Sequence, residues 1–148
     1  MNELKVIDGG LAIDDRGELQ FVNGFNPFKE GVQRCYIVKN HKAGFVRAWH
    51  SHKLEAKYIT VIQGAAIIGA VKIDNWDHPS RDVKPTRYVL SDQKPAILCI
   101  PVGYANGFKT LTDNAIVVVY STATLEESKG DDIRFPAKYW DIWNVEER

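Results

Sequence analysis

Residues 44–64 read GFVRAWHSHKLEAKYITVIQG. From Arg47 to Lys57 this stretch sets Arg47, His50, His52, Glu55 and Lys57 within eleven positions, then enters the apolar run Tyr58–Ile62, which Gly64 closes. A cationic anchor, a titratable imidazole and a flexible amine gather where a β-run begins. Inside a small β-barrel they are the equipment for binding an anion and moving a proton.

Working outward, the same chemistry of short runs and breakers continues in both directions. Residues 33–39, 45–50, 58–62, 65–73, 86–90, 96–100 and 115–121 are rich in Val, Ile, Tyr and Thr, and Gly, Pro, Asn or Asp punctuates the gaps. Seven or more strands at this spacing predict an all-β barrel or sandwich. Only Leu125–Lys129 reads as helix, and no repeat or linker divides the chain, so residues 1–148 form one expected domain. Along 115–121, Ile116, Val118 and Tyr120 share one face and Val117 and Val119 the other; both faces are apolar, and Tyr120 is expected inward. In the opening stretch His50 and His52 share a face with Ala48, whereas Arg47 and Trp49 take the other. A β-bulge is needed to aim Arg47 and His50 into one cavity.

Composition bounds the partners. Nineteen basic residues balance nineteen acidic ones over 148 residues, so neither a nucleic-acid surface nor a membrane patch is expected, and any anion site is local. No stretch approaches the ~18 apolar residues of a membrane helix and the N-terminus has no apolar leader, which predicts a cytoplasmic protein. Cys35 and Cys99 lie in apolar runs without CxxC spacing and read as free buried thiols. Of the four tryptophans, Trp140 and Trp143 are expected to cover a barrel mouth or a dimer surface.

Two chemistries compete for the histidines. Gly44, His50, His52 and Glu55 look like half of a cupin metal signature, but the turn Pro101-Val102-Gly103 leads to Asn106 where a third histidine belongs. His41 and His78 lie in loops, so no metal is expected. Metal-free acid–base work needs only what is present. His50 is suited to take a proton from carbon beside a carbonyl, Lys57 to hold the resulting oxyanion, and Tyr120 to return the proton.

The motifs in order carry a resemblance. Asp15-Arg16-Gly17, Arg47-Ala48-Trp49-His50, Lys57 with Gly64 seven residues on, Ile100-Pro101-Val102-Gly103-Tyr104-Ala105-Asn106-Gly107-Phe108, Tyr120, and Asp132-Ile133-Arg134-Phe135 resemble the RmlC-type cupins, the dTDP-4-dehydrorhamnose 3,5-epimerase family. The resemblance implies a jelly-roll barrel, and a homodimer that exchanges N-terminal strands so that Arg16 serves the neighbour's site. It implies a nucleotide-linked 4-keto-6-deoxyhexose, dTDP-linked first of all, as substrate, with no cofactor. Arg16 and Arg47 would bind the diphosphate, His50 would be the base, Lys57 the enolate holder and Tyr120 the acid; His52, Asn106 and Arg134 would contact the substrate. Two departures stand out. Asn106 replaces a histidine, and the family's C-terminal dyad aspartate has no counterpart, leaving Asp141, Asp131 or Asp132 to orient His50. The expected reaction is epimerisation at C3 and/or C5, and these departures leave room for a single site. His50-Ser51-His52-Lys53 also resembles the dTDP-sugar 3,4-ketoisomerases, which makes that reaction the alternative, with a non-catalytic nucleotide-sugar binder as the reading from another class.

Overall fold

Runs of β-branched and aromatic residues bounded by turn formers favour strands over helices. The computed structural model describes residues 3–148. Its strands are β1 (Lys5–Asp8), β2 (Gly10–Asp14), β3 (Gly17–Phe21), β4 (Arg34–Val38), β5 (Val46–His52), β6 (Lys57–Gln63), β7 (Ala65–Lys72), β8 (Thr86–Ser91), β9 (Ala96–Ile100), β10 (Tyr104–Thr110), β11 (Ile116–Ser121) and β12 (Ile133–Arg134). The helix α1 (Leu125–Lys129) stands between β11 and β12. Thr124 caps it, accepting from the Glu127 amide while the Glu127 carboxylate accepts from the Thr124 amide, which satisfies two otherwise unpaired donors.

Two five-stranded sheets form the expected all-β jelly roll, one ordered β1-β9-β6-β11-β4 and the other β12-β5-β10-β7-β8. The hairpin β2–β3 belongs to neither. Residues of alternating parity point between the sheets, where Ile59, Ile68, Leu98, Phe108, Val117 and Val119 fill one end of the barrel. The other end stays open and polar.

A further apolar layer covers the outer face of each sheet, so strands on both sides are buried twice and read as apolar throughout. On the first sheet, Tyr58, Ile97 and Cys99 pack under Ile7, Val22 and Phe25. Tyr120 sits in this outer layer, its ring centroid 5.3 Å from that of Phe25. The inward orientation expected for Tyr120 is therefore corrected: Val117 and Val119 face inward instead. On the second sheet the C-terminal tail lies back across the outer face. Trp140 and Trp143 are buried there against Trp49, at centroid distances of 5.6 and 5.1 Å, so they cover a sheet and not a mouth. Gly69 of β7 makes room for Trp143 and its neighbours, since a Cβ there would lie 2.7 Å from both Trp49 and Ile142 and 3.1 Å from Trp143. Cys99 is buried as expected, but Cys35 is exposed; both are free. Among the described residues no helix is long and apolar enough to cross a membrane.

Candidate active site

The required bulge is present, and its cause is local. On β10, Asn106 pairs with His50 and Phe108 with Arg47. Gly107 alone thus spans the two β5 residues Ala48 and Trp49, the geometry of a β-bulge. Ala48 and Trp49 both turn toward the tail layer, which leaves Arg47 and His50 free to face the barrel interior together. A Cβ on Gly107 would lie 2.3 Å from the Ala48 Cβ and 2.8 Å from the Arg47 carbonyl. Only glycine fits opposite the bulge.

Arg47, His50 and His52 from β5, Lys57 from β6, Asn106 from β10 and Arg134 from β12 line one cavity of about 350 Å³ at the open end of the barrel. The first sheet adds Arg34 and Tyr36 from β4, which sequence reasoning passed over. Their signal was available, because Arg34, Tyr36 and Val38 share one face of a five-residue strand. Tyr36 lies beneath two cations: the Arg34 guanidinium is 5.0 Å and the Lys57 ammonium 5.9 Å from its ring centroid.

His50 is half-buried. Burial, reinforced by the positive charges of Lys57 and Arg134, holds its pKa below the ordinary imidazole value, so its neutral, proton-accepting form persists at pH 7. Its nearest carboxylate is Asp132, with Oδ1 3.9 Å from Nδ1, and Arg134 holds that carboxylate at 2.8 Å. Asp141, offered as the orienting acid, is exposed on the tail and, among the described residues, accepts only from the Trp143 amide. The acid beside His50 is Asp132. Asp131 is committed elsewhere: its carboxylate accepts from the Lys53 and Leu54 amides at 2.8 and 2.7 Å and fixes the β5–β6 turn.

His52 is buried. Its Nδ1 lies 2.6 Å from the Asp131 carbonyl and 3.2 Å from Glu55 Oε2. Burial, then the Lys57 charge, lowers its pKa against the pull of Glu55. Lys57 is only 7% exposed and lies 4.0 Å from Glu55 Oε1. Asn106 donates to the His50 carbonyl at 3.2 Å. Arg47 donates to Asn40 at 2.7 Å.

Besides Asp141, two expected residues lie outside this cavity. Tyr120 is on the far side of its sheet, where burial raises its pKa. Arg16 is at the tip of the β2–β3 hairpin, paired with Asp14 and 87% exposed.

The fold and the cavity define a class: a jelly-roll protein with a cationic, histidine-bearing chamber. The family model described as dTDP-4-dehydrorhamnose 3,5-epimerase matches residues 2–143, and the chain belongs to that family. No curated protein matches its sequence. Among solved structures it is similar to the rmlC epimerase of Mycobacterium tuberculosis, at 25% identity and a TM-score of 0.65 over 80% of this chain. This chain spans 62% of the length of that protein. It is similar to dTDP-4-dehydrorhamnose 3,5-epimerase (rfbC) of Bacillus anthracis, solved with TDP and PPi bound, at 23% identity and a TM-score of 0.74, covering 98% of this chain and 87% of the other. The QdtA 3,4-ketoisomerase of Thermoanaerobacterium thermosaccharolyticum, solved as a double mutant in complex with TDP, shares the fold at 19% identity and a TM-score of 0.68, covering 95% and 93%.

Proposed function

We propose that this protein is an isomerase of a nucleotide-linked 4-keto-6-deoxyhexose in deoxysugar biosynthesis, and that it epimerises a single carbon beside the ketone. The observation that carries this reading is the bulge that turns Arg47 and His50 into the chamber holding Lys57. His50, kept neutral by burial and by neighbouring cations, takes the proton from the carbon next to C4. The 4-keto group makes that carbon acidic by delocalising the charge onto oxygen. Lys57 receives this charge on O4 in a site of low dielectric, where one ammonium counts for more than in water. Inversion requires the acid on the other side of the sugar ring. Tyr36 answers that need, because β4 and β5 belong to opposing sheets; it takes the role first given to Tyr120. Arg47 and Arg134 hold the diphosphate, and Asn106 and His52 meet sugar oxygens.

The protein acts as a homodimer in the cytoplasm. The hairpin β2–β3 exposes Ile13 and Leu19 at 72% and 63%, apolar surface fit to lie on a second copy, and carries Arg16 to the neighbour's chamber.

One observation favours a second reading, 3,4-ketoisomerisation. Two imidazoles, His50 and His52, line one chamber, one for a carbon-bound proton and one for an oxygen-bound proton. Incubation with dTDP-4-keto-6-deoxyglucose, followed by NMR assignment of the product, separates them. A C3 or C5 epimer supports the proposal, a 3-keto sugar selects the second reading, and unchanged substrate across dTDP-, CDP- and GDP-linked forms rejects both.

A further inference from the structure

Glu55 lines no part of the chamber, yet it touches four residues that do: Arg34, His52, Lys57 and Ser128. Its carboxylate is wholly buried. Oε1 lies 3.3 Å from the Arg34 guanidinium, accepts from the Ser121 hydroxyl at 2.7 Å and lies 4.0 Å from the Lys57 ammonium. Oε2 accepts from the Ser128 hydroxyl at 2.8 Å and lies 3.2 Å from His52 Nδ1. Five groups from β4, β5, β6, α1 and the end of β11 thus meet on one carboxylate. Burial pushes its pKa up, but the Ser121 hydrogen bond and the Lys57 charge outweigh that push and keep it ionised. A buried carboxylate is costly unless each lone pair is met, and here each oxygen is met.

Two buried side-chain atoms among the described residues have no hydrogen-bond partner: Arg34 Nε and His52 Nε2. They belong to chamber-lining residues that Glu55 holds from behind. The Asp131 carbonyl, 2.6 Å from His52 Nδ1, has no proton to give, so Nδ1 is the donor and Nε2 carries a bare lone pair. The pair left open is therefore one donor, Arg34 Nε, and one acceptor, His52 Nε2. Native interiors rarely leave such groups unmet, and a donor with an acceptor is the complement of an acceptor oxygen beside a hydroxyl.

We propose that Glu55 is the positioning residue of the chamber. With the Asp131 carbonyl accepting from His52 Nδ1, the Glu55 charge 3.2 Å away steadies that ring with Nε2 left to accept a substrate hydroxyl, and the same carboxylate sets Arg34 and Lys57 to meet the adjacent carbonyl oxygen, so that the site reads an α-hydroxyketone. This rests on the reading of the chamber as a keto-sugar site. A purely structural Glu55 would tie Ser121 and Ser128 to the barrel without touching the state of the imidazole.

The test has one arm that needs no turnover. In protein carrying ¹⁵N-labelled histidine, with His52 assigned through His52→Asn, the wild-type ring shows its proton on Nδ1 and none on Nε2. In Glu55→Gln, which keeps shape and drops charge, the Nδ1–H proton resonance moves upfield as the carboxylate charge 3.2 Å from Nδ1 is lost and the hydrogen bond to the Asp131 carbonyl weakens. A wild-type ring protonated on Nε2, or a resonance unmoved in Glu55→Gln, overturns the proposal whether or not a nucleotide sugar reacts. The second arm is kinetic. Glu55→Gln lowers kcat on the order of 100-fold through misplacement of reacting groups, with KM little changed, and Glu55→Asp, which keeps the charge, restores part of it. Loss of rate only in proportion to loss of folded protein overturns the proposal. Failure of the wild-type protein to turn over any nucleotide sugar tells against the keto-sugar reading, and the imidazole spectrum then still decides the role of Glu55.

Discussion

Replacing Gly107 by alanine probes the device on which the site depends. The added Cβ would stand 2.3 Å from the Ala48 Cβ and 2.8 Å from the Arg47 carbonyl. Carbon atoms rest comfortably at about 3.5–4.0 Å, so the overlap with Ala48 alone is about 1.2–1.7 Å. β10 cannot step back, because β7 pairs with it along its whole length. Overpacking of this kind costs about 1–3 kcal/mol, which for a chain of this size lowers Tm by about 2–12 °C. The easiest relief is to straighten β5, and a one-residue slip sends a side chain to the opposite face. Arg47 or His50 then leaves the chamber, and turnover falls on the order of 100-fold, beyond any loss of folded protein. Gly130→Ala is the matched control. Its φ is −81° and the nearest atom to an added Cβ is 3.7 Å away, so its stability stays within about 0.5 kcal/mol of wild type. Melting curves and initial rates on the three proteins suffice. A Gly107→Ala protein that melts and turns over like wild type would refute the claim that glycine permits the bulge.

Other outcomes follow from the same geometry. Tyr36→Phe should reduce product formation by at least 10²-fold as the acid is lost, while Tyr120→Phe should leave the rate near wild type; the reverse ranking would restore Tyr120 and remove Tyr36. With His50 proposed as the neutral base and its pKa held down by burial, Lys57 and Arg134, the acid limb of the pH–rate profile should lie below the ordinary histidine value of about 6.5, and an acid limb above that value would contradict the assignment. Stability should follow the same direction. The unfolded chain protonates His50 and His52 near pH ~6.5 while the folded chain resists, so their contribution is complete above that pH and is lost as pH falls through it; melting temperatures measured across pH 5–8 check the sign.

Much of the architecture was legible because it rests on local chemistry. Short β-branched runs between turn formers specify an all-β barrel, and the capped segment after Thr124 specifies α1. The placement of Arg47, His50, Lys57, Asn106 and Arg134 around one chamber was legible through ordered motifs. The errors have a common physical source. β11 is apolar on both faces because a second layer covers its outer side, so alternation could not say which face Tyr120 takes. Asp141 and the tail tryptophans were misplaced because a tail without strand periodicity gives no register, and its docking depends on the space at Gly69. The bulge did leave a trace: Gly107 in a strand interior marks a close approach of backbones. Glu55 stood in the opening stretch, but its role depends on Ser121, Ser128 and Arg34, which only the fold brings near.

The central claim is that His50 forms an enolate beside the ketone, and hydrogen exchange tests it most directly. dTDP-4-keto-6-deoxyglucose is incubated in D2O with the wild-type protein and with His50→Asn, and the C3 and C5 proton signals are followed. The account predicts that one of these signals disappears with the wild-type protein and that both persist with His50→Asn, although the variant still binds the nucleotide. Loss of the signal at an undiminished rate with His50→Asn would contradict it.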